Sequence, residues 1–497
     1  RPRLNGIFAF AIWDEVGQCL FMARDRLGVK PLFYCQRKNS LLFGSEIKAL
    51  LAHPEVQPAV DGQGLAEVLI MGPSRTPGQG IFKGISELRP GCCLLFDQNG
   101  LRINKYWALQ SRPHEDDLET TANKLRGLFE DTVRRQLIAD VPVATLLSGG
   151  LDSSAITACA ARVFKEEGRS PVHTYSVEYR DNEKYFVANK FQPDADDPWI
   201  KRVSNYVGSE HTAITIDNHD LAKALERTMR ANDYPGMADI DASLYLFCQE
   251  IKKETTVGLS GECADEVLGG YPWFSDEESL NCGTFPWLRM IQTKFQFLSP
   301  EIIQQIKPEQ YVNDRYHEAL QEVPGLPGED ITEAKRRQMF YLNITRFMPT
   351  LLDRKDRMSM ACGLEIRVPF ADHRLVEYVW NIPWQMKSVD GMSKGIMRRA
   401  LKGILPDDVL TRRKSPYPKT HSPIYAEVLR QQLLEILYNK TSPLLNVIDS
   451  QRLGQVIASG GQIFNVPWFG QLMGDAQYMA YLIQLDTWLK NYRVKIC

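Results

Sequence analysis

Val141-Pro142-Val143-Ala144-Thr145-Leu146-Leu147-Ser148-Gly149-Gly150-Leu151-Asp152-Ser153-Ser154 is the stretch that decides the fold. An apolar run of strand composition over 141–147 passes directly into Ser148-Gly149-Gly150, and a helical pattern over 155–167 follows. Gly149 and Gly150 let the backbone approach a ligand closely. The helix start behind them offers unpaired N–H groups and a partial positive charge. Ser148, Ser153 and Ser154 add hydroxyl donors, so the corner suits pyrophosphate. Asp152 is a poor phosphate contact but a good ligand for Mg²⁺ beside the phosphates. The Gly-Lys-Ser/Thr ending of loops built for γ-phosphate transfer is absent. A strand–turn–helix corner capped by Ser and Gly for purely structural reasons would read the same way.

Working outward, further strand patterns fall at 172–178, 211–216 and 255–259, with helical stretches between them. Alternating strand and helix predicts a parallel sheet covered on both faces, hence an α/β fold. From about Ile302 the pattern is mainly helical, without repeats or low-complexity tracts. Ser260-Gly261-Glu262-Cys263-Ala264-Asp265-Glu266 follows the strand at 255–259 and precedes Gly269-Gly270-Tyr271. Parallel strands end on one sheet edge, where ligands bind. Asp152 and Asp265 can therefore share one Mg²⁺ although they are distant in sequence. Glu262, Asp265 and Glu266 are unfavourable together unless a metal or base chemistry uses them. A solvated acidic helix start is the plainer alternative.

Toward the N-terminus the texture is β. Runs at 6–14, 19–25, 31–36 and 41–46 are separated by turn signals, and 92–96 and 101–107 flank Asp97-Gln98-Asn99-Gly100 as a hairpin. The polar stretch 110–117 reads as a linker, and Leu125, Leu128, Phe129, Val133 and Leu137 share one helical face beyond it. The 497 residues carry a net charge of −2, which gives no global case for nucleic acid or anionic membrane as partner. No apolar run approaches the roughly 18 residues of a membrane span. The ten cysteines are scattered without paired zinc spacing, which fits a reduced, cytoplasmic protein.

The 148–154 segment matches the Ser-Gly-Gly-x-Asp-Ser motif of ATP pyrophosphatases, and 260–266 is similar to the Ser-Gly-Glu-Gly-Ala-Asp-Glu segment of asparagine synthetases. Arg354–Asp372 looks like that family's signature helix and loop. The stretches 4–14, 24–34 and 43–50 resemble the second half of its glutaminase domain. This resemblance implies a partial N-terminal-nucleophile β-sandwich over 1–110, the C-terminal half of a class II glutamine amidotransferase domain. One sheet of that sandwich is expected to be under-covered. Over 111–497 it implies a parallel-sheet ATP-pyrophosphatase domain with a helical C-terminal part.

The family amidates aspartate to asparagine through β-aspartyl-AMP, releasing AMP and pyrophosphate, with ammonia normally drawn from glutamine. By resemblance, the backbone at Leu146 and Val177 holds adenine, with Ser260 and Gly261 near the nucleotide. Ser148, Gly149, Gly150, Asp152, Ser153 and Ser154 hold pyrophosphate. Asp152 and Asp265 hold Mg²⁺. Lys394 and Lys414 match lysines near the phosphates, where they offset charge on the leaving group. Glu262 accepts a proton as ammonia attacks. The expected partners are aspartate, ATP, and ammonia or glutamine. The chain is compatible with a homodimer.

Departures from the family pattern also shape the expectations. Cys263 stands where the family usually has glycine and reads as a buried, inert residue. Ala238-Asp239-Ile240-Asp241-Ala242-Ser243 lacks an arginine that some relatives place near pyrophosphate. The stretch 179–197 is acidic and aromatic, fit either to line a site or to form a surface loop. The chain opens at Arg1 inside the glutaminase pattern, which reads as a fragment, and no cysteine occupies the N-terminal nucleophile position. The same motifs would also serve amidation of another carboxylate, such as a cell-wall amino acid, or a β-lactam synthetase-like closure of an internal amide.

Overall fold

The structure is a computed structural model, and it describes residues 4–186, 194–459, 463–464 and 466–497. Near the N-terminus, strands β1 (Ala9–Asp14), β2 (Cys19–Arg24), β3 (Phe33–Arg37), β4 (Ser40–Gly44), β5 (Ala59–Val60), β6 (Ser86–Glu87), β7 (Cys92–Asp97) and β8 (Gly100–Lys105) appear in that order. An antiparallel sheet of order β1-β2-β7-β8 faces a smaller antiparallel sheet of order β4-β3-β6. Period-two alternation explains the pairing. Leu20, Met22, Cys92 and Leu94 point inward and form a core with Leu32 and Leu88. The other face of the larger sheet carries Phe10, Ile12, Phe21 and Leu95, and it is open: Ile12 is 56% and Phe21 37% exposed. The expected two-sheet arrangement with one under-covered sheet is thus present. β7 and β8 meet through Gln98-Asn99 with Asp97 opposite Gly100, the hairpin read from the sequence.

After the 110–117 segment, the helix Leu118–Gln136 buries Leu125, Phe129 and Val133. Asp117 caps it by accepting from Thr120 N at 2.7 Å. The segment itself is tied down: Ser111 Oγ donates to Pro324 O at 2.6 Å, and Arg112 N donates to Asn381 Oδ1 at 2.7 Å.

A five-stranded, all-parallel sheet follows. Its strands are β9 (Val143–Leu146), β10 (His173–Tyr179), β11 (Glu210–Ile216), β12 (Val257–Leu259) and β13 (Glu365–Arg367), in spatial order β11-β10-β9-β12-β13. The fifth strand was not anticipated. It has only three residues, two of them charged, and it lies inside the stretch read as a loop. The last strand, β14 (Lys495–Ile496), pairs with β5, so the end of the chain returns to the N-terminal module. Beyond residue 277 the described residues are mainly helical.

The helix after β9 begins at Leu151, not at Ala155 as its apolar pattern implied. Gly150 is its extended N-cap, and Asp152 and Ser153 already lie in the first turn. The phosphate-loop motif is therefore a three-residue turn plus a helix start. Among the described residues no helix is long and apolar enough to cross a membrane.

Candidate active site

β9 and β12 are hydrogen-bonded neighbours, with Leu259 opposite Thr145, so the turns that follow them open side by side. In the first turn Gly149 takes φ +69°, and a Cβ there would lie 2.6 Å from Trp199 Cβ. Ser153 Oγ lies 3.2 Å from Ser148 N and 3.0 Å from Ser148 Oγ, which locks the turn against its helix. In the second turn Ser260 N donates to Arg367 O of β13 at 2.9 Å. Cys263 then starts the short helix Ala264–Leu268 with φ +76°. This left-handed backbone gives a physical reason for glycine at that position. The Cys263 side chain is buried, and burial pushes its thiol well above the usual range.

Between the turns lies a cavity lined by Leu146, Val177, Ser148, Gly150, Asp152 and Ser153, together with Ser260, Gly261, Glu262, Asp265, Lys394 and Lys414. Twelve of the fourteen site residues read from the sequence therefore line one cavity. Gly149 and Ser154 stand behind it. Ser154 is fully buried and its Oγ has no hydrogen-bond partner among the described residues.

Lys394 is 3% exposed and bridges the two turns, 2.5 Å from Asp152 Oδ2 and 2.6 Å from Asp265 Oδ1. Lys414 Nζ lies 2.5 Å from Asp265 Oδ2 and 4.8 Å from the Tyr271 ring centroid. Burial opposes charge on both carboxylates. At Asp265 the two ammonium groups outweigh it and hold the acid low. At Asp152 burial and the neighbouring Asp265 outweigh Lys394 and push it up. Gly270 lets this cluster close, since a Cβ there would lie 1.8 Å from Asp265 Oδ1. Glu266 is buried against the cluster and accepts a hydrogen bond from Tyr271 OH. Burial and the neighbouring Asp265 push Glu266 well above the usual glutamate range.

Two observations test whether these residues fit Mg²⁺. Asp152 Oδ1 is buried without a hydrogen-bond partner among the described residues, and Asp265 Oδ1 meets Lys394 only as an ion contact without hydrogen-bond geometry. Two under-used carboxylate oxygens facing a cavity suit a hard cation that fills its remaining positions with phosphate oxygen and water. Among the described residues no group of three or more His, Cys, Asp or Glu could hold a metal by itself.

Glu262 sits on the other side of the cavity. Its Oε2 lies 2.9 Å from Lys355 Nζ and 3.2 Å from Arg354 Nη2, both on the helix Met348–Met360. Burial would raise Glu262, but Lys355 and Arg354 outweigh it and hold the carboxyl below the usual glutamate range. It is ionised at neutral pH, and a weak base while both cations stay in place.

Several lining residues escaped the sequence reading. Arg412 Nη2 holds Asp196 at 2.6 Å, its Nη1 donates to Ser148 O at 3.2 Å, and its guanidinium lies 5.0 Å from the Trp199 ring centroid. Arg398 donates to the carbonyls of Ser393, Leu410 and Arg412, stapling the segment that carries Arg412 and Lys414. The basic run Arg412-Arg413-Lys414 is visible in the sequence, but its approach to Ser148 is not. Of the acidic stretch 179–197, Asp196 lines the cavity and residues 187–193 lie outside the described residues. Asp239 and Asp241 are buried away from the cavity. Asp241 accepts from Asn232 Nδ2 at 2.9 Å and Met237 N at 2.7 Å, so it holds backbone rather than ligand.

The asparagine synthase family model matches residues 124–490, and the glutamine amidotransferase domain model matches residues 1–107. The chain is 54% identical over 495 residues to glutamine-hydrolysing asparagine synthetase 3 of Bacillus subtilis (strain 168), covering 99% of this chain and 80% of that relative. It is 27% identical over 453 residues to asparagine synthetase 1 of the same organism, covering 84% of this chain and 68% of that relative. It is 26% identical over 445 residues to the asparagine synthetase of Mus musculus, covering 83% of this chain and 63% of that relative.

Proposed function

Because the chain belongs to the glutamine-hydrolysing asparagine synthetases, ATP-dependent carbon–nitrogen ligases, we propose a division of labour among its cavity residues. The observation that carries it is the single buried ammonium of Lys394 bridging Asp152 and Asp265 at the ends of two adjacent parallel strands. The backbone at Leu146 and Val177 receives adenine, with Ser260 and Gly261 beside the nucleotide. The turn Ser148-Gly149-Gly150 and the helix start at Asp152, Ser153 and Ser154 receive the β- and γ-phosphates through N–H and hydroxyl donors. Asp152 and Asp265 hold Mg²⁺, which when bound neutralises phosphate charge.

The acceptor is aspartate. Its β-carboxylate oxygen attacks the α-phosphorus of ATP, the bond to the β-phosphate oxygen breaks, and pyrophosphate leaves. Lys394 and Lys414 lie where they meet the charge gathering on that leaving group. Ammonia then attacks the acyl carbon of β-aspartyl-AMP, AMP leaves, and Glu262 takes the proton released from nitrogen. The glutamine amidotransferase module over 1–107 fits glutamine as the nitrogen source.

The test uses the whole chain with MgATP, aspartate and ammonium, reading pyrophosphate and asparagine in one reaction. Equal amounts are expected from the wild type. Glu262→Gln keeps size and hydrogen bonding but cannot take the proton. Amide formation should fall about 10²- to 10⁴-fold while aspartate-dependent pyrophosphate release persists. Unchanged amide formation would remove Glu262 from the mechanism. Absence of aspartate-dependent pyrophosphate in the wild type would overturn aspartate as the acceptor.

A further inference from the structure

The cations that line the cavity fall into two groups. Lys394 is committed to Asp152 and Asp265, and Lys414 to Asp265. Arg398 is spent on three backbone carbonyls. Arg412 holds Asp196, Asp194 and Ser148 O. These four reach the cavity from the segment 394–414, and Arg413, which lines it beside them, is exposed to solvent.

Lys355 reaches the cavity from a different element, the helix Met348–Met360, beside the turn that carries Glu262. Its side chain is 5% exposed, and among the described residues its one ionic contact is Glu262. Glu262 does not depend on it, because Arg354 Nη2 holds the same oxygen at 3.2 Å. Arg354 is 4% exposed, with its guanidinium 5.2 Å from the Tyr417 ring centroid; its Nε and Nη1 have no hydrogen-bond partner among the described residues, but it does not line the cavity. Of the two cations on Glu262, Lys355 is the one on a flexible four-carbon stem that lines the cavity.

We propose that Lys355 is the specificity-determining residue for the acceptor, binding the second, non-reacting carboxylate of a dicarboxylic amino acid. This rests on the function proposed above. An acceptor activated at one carboxylate brings its other carboxylate into an enclosed site, where it requires a cation not already committed to phosphate. Lys355 meets that requirement by exchanging Glu262 for the acceptor, leaving Glu262 to Arg354. Arrival of the acceptor thus also takes one cation off the residue that must accept a proton.

The test compares aspartate with its α-carboxamide, which keeps the reacting β-carboxylate but has no charge on the α side. Acceptor-dependent pyrophosphate release is measured at saturating MgATP for the wild type, Lys355→Met and Lys355→Arg. The wild type should prefer aspartate to the α-carboxamide by about 10- to 100-fold in kcat/KM, the worth of one charge-assisted hydrogen bond. Lys355→Met should raise the KM for aspartate by a similar factor, abolish the preference, and leave the KM for ATP within about twofold. Lys355→Arg should restore part of the preference, since charge is kept and geometry altered. If Lys355→Met slows both acceptors equally, or neither, Lys355 is structural and the inference fails alone. A wild type that releases no pyrophosphate with aspartate overturns the proposed function and this inference with it.

Discussion

Replacing Lys394 with methionine probes the centre of the site most directly. The change keeps the length of the stem and removes the ammonium that bridges Asp152 and Asp265. Lys394 is 3% exposed, and its two partners are 19% and 18% exposed, so solvent screens the loss poorly. Asp265 keeps Lys414, but Asp152 has no other ionic contact among the described residues. Removing one member of a buried ion pair costs about 3–5 kcal/mol, because the remaining charge is left uncompensated. At about 2 °C per kcal/mol for a large domain, the Tm should fall by roughly 6–10 °C. Thermal unfolding followed by intrinsic fluorescence reads this, with and without MgATP. A divalent cation can replace the lost charge between the carboxylates, so MgATP should raise the Tm of the variant more than that of the wild type. Aspartate-dependent pyrophosphate release should fall by at least about 10²-fold, the usual scale for losing one preorganised charge opposite a leaving group. A variant with wild-type Tm, or one that MgATP stabilises no more than the wild type, would refute the reading of Lys394 as the bridge.

Asp152→Asn and Asp265→Asn should each lower pyrophosphate release about 10- to 100-fold at limiting Mg²⁺, with partial recovery as Mg²⁺ is raised; normal turnover at limiting metal would rule out shared ligation. Glu322 accepts from Arg89 at 2.8 Å and Arg346 at 3.1 Å, and these cations outweigh its burial and hold it down at about 2. Its folded pKa is depressed, so its contribution is complete above the unfolded value of about 4.5 and is lost as pH falls toward 2. Glu322→Gln should therefore be about 1.5–3 kcal/mol less stable at pH 7, with the gap closing below pH about 4 in denaturant titrations; a gap independent of pH contradicts the assignment. Cys263→Val places a β-branched residue at φ +76°, and it should lose about 1–2 kcal/mol relative to Cys263→Gly. Equal denaturation midpoints for these two variants would argue against strain at that position.

The features legible in the sequence are those written locally. Alternation in Leu20, Phe21 and Met22 gives a half-buried strand, and apolar runs ending at Ser148 and Ser260 give buried parallel ones. The helix start was misplaced because Leu151 to Ser154 carry little apolar periodicity, while Ser153 Oγ satisfies Ser148 N and fixes the turn. β13 was missed because three residues hold no pattern. At the site, the motifs marked both turns, and the family resemblance pointed to both lysines. The convergence of Lys355 and Arg354 on Glu262, and of Arg412 on Ser148, was not legible. These contacts join elements far apart in the chain, and a lone charged residue carries no sign of whether it faces solvent or a cavity.

Lys394, Arg398, Arg412 and Lys414 fall within one short stretch of chain, and Arg398 binds that stretch to itself through backbone carbonyls. Lys355 and Arg354 belong to another helix altogether. On the roles proposed above, the cations that meet the phosphates and the cation that selects the acceptor thus lie in separate segments of the chain. With that division, a substitution at Lys355 would alter the choice of acceptor while Lys394 and Lys414 keep their contacts to Asp152 and Asp265. A lineage built this way can change its product without first losing its use of ATP.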